Sequence, residues 1–218
     1  MPAARAQQPV TQPATQQATT FPARLQPAAR AALERLADSA RAGGLPDGPL
    51  YAKAAEGVLK GADDARIVGA VRALAREMET ARSALGADAS GAELVAGASA
   101  LHAGVAPDEL RRLAAARRGG GRGAATPARS LAMPLVVMAD LVTRGVPASA
   151  AASSIDALLA RGVSDGGLAA LRLDVERDIL DGHAPQAAAA ARTRALAAGL
   201  DAERRPATPP SASRLPPP

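Results

Sequence analysis

The side chains best equipped for chemistry in this 218-residue chain are arginines. Between Leu110 and Arg129 the text LRRLAAARRGGGRGAATPAR carries Arg111, Arg112, Arg117, Arg118, Arg122 and Arg129, and no acidic residue. The formal net charge is +5, and the rest of the chain sets 20 basic against 21 acidic residues, so the excess lies in this segment. Guanidinium groups grip phosphate oxygens bidentately, and a run of them can track a polyanion backbone. The six arginines are therefore the candidate anion-binding residues, with nucleic acid or another acidic polymer as the ligand class. A plainer reading competes with this one. Arg outnumbers Lys 24 to 2, and Ala, Gly, Pro and Arg dominate together, which is the usage expected of GC-rich codons. On that reading the segment is a solvated linker.

A second cluster comprises Asp174, Glu176, Asp178, Asp181 and His183. On a helix Asp174, Asp178 and Asp181 share one face, where three oxygens could hold a hard cation. The pattern lacks the glycine and the terminal glutamate of an EF-hand loop, and Arg172 and Arg177 offset its charge. An exposed helix face is the better account, and no metal site is expected. The other histidine, His102, has no Ser or Cys partner at a recognisable spacing. The strings H-E-x-x-H, G-x-S-x-G and G-x-x-x-x-G-K-[ST] are missing, and GGGRG at 119–123 follows a helical pattern rather than a strand. The sequence predicts neither an enzyme nor a cofactor.

Composition narrows the field further. Without cysteine there can be no disulfide scaffold, zinc ribbon or thiol nucleophile. Without tryptophan, and with one Tyr and one Phe, the chain lacks stacking platforms for single-stranded nucleic acid. No apolar stretch approaches the roughly 20 residues that span a bilayer. The 48% hydrophobic content is mostly 59 alanines.

The elements that must position these residues follow from glycine. Gly61, Gly104, Gly145 and Gly182 each end an apolar periodic segment, with Val58, Leu101, Val142 and Ile179 three places before them. Pro107, Pro147 and Pro185 follow the last three, and Asp63 follows the first. This is a helix closed by a left-handed glycine, a short link, and a new helix opened by proline or an Asp cap. The spacings of 43, 41 and 37 residues fit stacked helical hairpins. Further stops at Gly86 and Gly162 precede caps at Asp88, Ser90, Ser164 and Asp165. Helices are expected near 49–60, 64–85, 91–103, 107–118, 129–144, 147–161, 165–181 and 185–198. A ninth is expected at 28–41, where Ala29, Leu33, Leu36 and Ala40 share a face. The fold class is all-α, a short solenoid-like stack of about four hairpins.

Eleven of the 18 prolines lie in residues 1–27 and 206–218. Such compositions favour extended tails over packing. The expected organisation is a disordered segment at 1–27, an amphipathic helix and linker at 28–48, a hairpin domain at 49–199, and a Pro-rich disordered tail at 200–218. Ala4-Arg5-Ala6 has the small-x-small form of a signal-peptidase site without an apolar core before it. This predicts a true start upstream and a periplasmic or secreted protein, with the cytoplasm as the alternative. The expected function is a non-enzymatic interaction or adaptor module that offers a protein partner a groove between hairpins. Ala96, Ala98, Ala139 and Ala150 are the small residues permitting close approach there.

Overall fold

The computed structural model describes residues 20–119 and 130–204. Among these are nine helices and no strand: α1 (Pro27–Ala42), α2 (Gly48–Leu59), α3 (Asp64–Leu85), α4 (Gly91–His102), α5 (Pro107–Gly119), α6 (Ala132–Thr143), α7 (Ala148–Ala160), α8 (Asp165–Leu180) and α9 (Pro185–Glu203). The protein is all-α, and its helices pack as hairpins.

Local chemistry accounts for most boundaries. Gly61, Gly104, Gly145 and Gly182 have φ of 71°, 102°, 93° and 94°. At Gly104 the Val105 N–H donates to the Ala100 carbonyl and the Gly104 N–H to the Leu101 carbonyl, both at 3.0 Å. Gly145 repeats the pair, with the Val146 N–H on the Leu141 carbonyl. This double bond pattern needs a left-handed residue, and it turns the next side chain back onto the helix it closes. Val105 and Val146 are accordingly buried, whereas His183, in the same place after Gly182, is exposed. Pro107 and Pro185 open α5 and α9, and Pro147 is the N-cap of α7. Asp63 caps α3 by accepting the Arg66 N–H at 2.8 Å, and Ser164 caps α8 by accepting that of Gly167 at 3.1 Å.

Two stretches expected to be disordered are ordered where tertiary contacts reach them. Phe21 and Leu25 are buried, and the Phe21 ring lies 4.5 Å from that of Tyr51. The Gln26 N–H donates to Asp64 at 2.9 Å. At the other end α9 runs through Gly199 to Glu203, because Leu200 packs on the core and Arg161 pairs with Asp201 at 3.3 Å. The proposed processing site at Ala4-Arg5-Ala6 and the tail beyond Arg204 lie outside the described residues.

By its contacts the chain divides within α3, into one unit ending at Ala75 and a second beginning at Arg76. In the first, Leu33, Leu50, Ile67 and Val71 form the core, and α2 meets α3 where Gly57 faces Ile67. In the second, α4, α6 and α8 lie side by side in one row and α5, α7 and α9 in another. Helix α6 also packs on α7, and α8 on α9. Buried leucines (Leu110, Leu113, Leu135, Leu141, Leu158, Leu168) fill the space between the rows. Alanine and glycine let the helices approach closely: a Cβ at Gly97 of α4 would stand 2.9 Å from that of Ala81 on α3. One buried hydroxyl, that of Thr193 on α9, has no hydrogen-bond partner among the described residues.

Three substitutions test this packing. Gly97→Ala should lower the unfolding free energy by about 1–3 kcal/mol through overpacking against Ala81. Gly69→Ala, at an exposed mid-helix position with open space around it, should raise it by about 1 kcal/mol through helix propensity. Opposite shifts in the urea midpoint are the expected result. Thr193→Val removes the unpaired hydroxyl at nearly constant shape and should add about 1 kcal/mol, read as a higher thermal midpoint.

Candidate functional site

The arginine segment is only in part a free cationic surface. Arg111 pairs with Asp108 and Arg112 with Glu109, each one helical turn back on α5. Arg117 reaches a different helix, where its Nη1 donates to Glu93 of α4 at 2.5 Å. These three sequence-predicted anion-binding residues therefore already have carboxylate partners. Arg118 lies on the last turn of α5, its side chain outside the described ones, as are residues Arg122 and Arg129 altogether.

Glu93 is the most elaborately held side chain in the second unit. Its Oε2 accepts from the Ser90 N–H at 2.8 Å and from the Ser90 hydroxyl at 3.0 Å, completing a capping box at the start of α4. Its Oε1 accepts from Arg117 and, at 2.7 Å, from the N–H of Leu131, the N-cap of α6. The glutamate and arginine side chains are only 5% and 13% exposed. Burial pushes the Glu93 carboxyl up, but the backbone N–H groups of Leu131 and Ser90, the Ser90 hydroxyl and the Arg117 charge outweigh it. The group is held below the ordinary carboxylate range. Sequence reasoning found the Ser90 cap and missed Glu93, although S-x-x-E is a readable signal.

The acidic cluster of α8 is likewise engaged with arginines. Asp178 accepts from Arg192 Nε at 2.7 Å and Nη2 at 2.5 Å, and these bonds chiefly hold its carboxyl below the usual range. Glu176 pairs with Arg144 at 3.0 Å, and Asp174 lies 3.7 Å from Arg177. His183 donates from Nδ1 to the Asp178 carbonyl at 3.0 Å, and His102 from Nδ1 to Glu77 at 2.9 Å. Among the described residues no group of three His, Asp or Glu side chains could hold a metal ion. Nor is any helix there long and apolar enough to cross a membrane.

The expected groove does not form around its expected residues. Ala96, Ala98 and Ala139 are buried and Ala150 is half-buried, so the first three serve contacts between helices of this chain. A cleft of 170 Å³ does open between α5 and α7, with Leu113, Ala152, Glu109, Arg112 and Asp156 among its lining. It is smaller than the roughly 300–1,000 Å³ of ligand pockets.

An apolar row lies elsewhere. Val136 of α6 is 40% exposed, and Leu173 and Leu180 of α8 are 53% and 80% exposed. Val136 and Leu173 each stand nine residues before the capping glycine of their helix, and so does the half-buried Val95 of α4. Equivalent register on three adjacent helices sets Val95, Val136 and Leu173 in sequence across the α4–α6–α8 row. Leu180 adds a second apolar position one heptad beyond Leu173, on the same helix face. The signal was present in the glycine register, but only exposure separates these residues from core ones.

Compared with known proteins, the chain matches no family model, no curated protein and no solved structure.

The state of Glu93 has a measurable consequence. Its depressed pKa contributes stability that is present above the unfolded-state pKa and lost as pH falls through the lower folded-state value. Glu93→Gln should cost about 3 kcal/mol at neutral pH by uncoupling a buried pair. It should also flatten the acid limb of the stability–pH curve, followed by urea denaturation from pH 7 to pH 3. An unchanged acid limb would assign that dependence to other carboxylates.

Proposed function

We propose that the protein is a non-enzymatic interaction module that docks a protein partner on the outer side of the α4–α6–α8 row. The observation that carries this reading is the exposed apolar set of Val136 and Leu173, at matching positions on adjacent helices, with Leu180 one heptad beyond Leu173; the other exposed large apolar side chain among the described residues, Leu59, stands in the first unit. Exposed apolar side chains grouped on one face favour association, whereas scattered single ones need no explanation. Small side chains keep the helices close and leave a shallow surface suited to an amphipathic helix or an extended segment. The pairing of Arg111, Arg112 and Arg117 with acids favours this reading over polyanion binding, which would have to compete for each of those cations.

Export belongs to the same proposal, with the partner in the periplasm or outside the cell. The mature N-terminus, read by mass spectrometry on fractionated cells, tests it: a chain starting near Gln7 outside the cytoplasm supports export, and an intact Met1 in the cytosol removes it.

The docking face is tested with a photo-activated cross-linker placed at Leu173, and separately at the exposed Ser149, in the full chain inside its native cells. A discrete adduct from Leu173 that is absent from Ser149, and lost when Leu180→Ser is added, is the expected result. Equal labelling from both positions would count against the proposal.

A further inference from the structure

Glu93 divides its two oxygens in an unusual way. One serves the start of its own helix through Ser90. The other accepts from both sides of the α5–α6 connection: from Arg117 near the end of α5 at 2.5 Å and from the Leu131 N–H at the start of α6 at 2.7 Å. The last turn of α5 and the first of α6 are thus held to a single atom of α4. The donors are independent of residues 120–129, because Arg117 and Leu131 lie on either side of them. A covalent connection contributes to a fold mainly by keeping its ends close, at an entropic cost that grows slowly with loop length. Here a buried carboxylate already does that, and Leu135, Val137, Met138 and Leu141 bury α6 independently.

We propose that Glu93 is a side-chain staple that closes the α5–α6 connection without covalent help, so that the helices on its two sides stay docked when the chain between them is cut. The connection is then a place where the chain accepts cleavage or insertion while the fold persists. The charged groups at the staple are Glu93 itself and Arg117, with Ser90 as the remaining polar side chain. Gln is a poor replacement, because its amide NH₂ must face either the Ser90 donors or those of Arg117 and Leu131. One oxygen site is lost in either orientation.

The test uses the full chain with a specific protease site inserted between Gly120 and Gly121. After complete cleavage the two fragments of the otherwise wild-type chain should elute together in size exclusion at micromolar concentration. The cut Glu93→Gln chain should show a fragment Kd weaker by about tenfold or more, as expected for one unpaired buried donor. Separation of the wild-type fragments would overturn the proposal, as would an unchanged Kd in the variant. Should the uncut Glu93→Gln chain fail to fold, judged by its melt, Arg117→Met decides. It leaves the other three donors in place and should still weaken the fragment complex, and an unchanged Kd there would also overturn the staple.

Discussion

A buried carboxylate with four donors organises the second unit. Taking Glu93 out of water is unfavourable by itself, and it is tolerated because every lone pair facing the interior meets an N–H, a hydroxyl or a guanidinium. That requirement ties three helix ends to each other. The start of α4 must present Ser90, the end of α5 must bring Arg117, and the start of α6 must aim its first free N–H at the same oxygen. Failure of any one leaves a buried group unpaired, so the ends are positioned as a set.

The rest of the structure is built from small side chains. A chain with 59 alanines and one phenylalanine cannot fill wide gaps between helices, so the helices must come close. Gly57 against Ile67 in the first unit and Gly97 against Ala81 in the second are two places where an added Cβ would not fit. Backbone proximity brings many weak dispersion contacts within range and compensates for the scarcity of large side chains. Leucines then fill the space between the two rows, and little large apolar surface remains outside. Against that background the exposed large apolar side chains are Leu59 in the first unit and Val136, Leu173 and Leu180 in the second, and the last three share two adjacent helices.

Charge follows the same economy. Three of the arginines that look surplus in the sequence, Arg111, Arg112 and Arg117, are offset in space by Asp108, Glu109 and Glu93, and Glu176 and Asp178 of α8 are matched by Arg144 and Arg192. Most of these pairs are surface pairs worth little individually. Their consequence lies in function, since a cation already held by a carboxylate is a weaker handle for phosphate. This is why the apolar row, and not the arginine run, carries the proposed interaction.

What was legible in the sequence is what depends on near neighbours. Glycines at 61, 104, 145 and 182, the prolines after three of them, and the caps at Asp63, Ser90 and Ser164 act within a turn or two, and they mark the helices to within a few residues. The same locality explains the misjudgements. Phe21 and Leu25 read as part of a Pro-rich tail until Tyr51 and the first core receive them. Gly199 reads as a stop until Leu200 and Asp201 find partners across the fold. Arg117 reads as an anion handle until Glu93, 24 residues away, takes it. Ala96, Ala98 and Ala139 read as groove residues because small size alone does not say which neighbour comes close. The chain's own chemistry determined the all-helical class and the ends of its helices, since capping and backbone hydrogen bonding are satisfied within each segment. Tertiary structure alone decided that Arg117 meets Glu93, that Arg192 meets Asp178 and which leucines stay in water, because these depend on groups far apart in the chain meeting at one place.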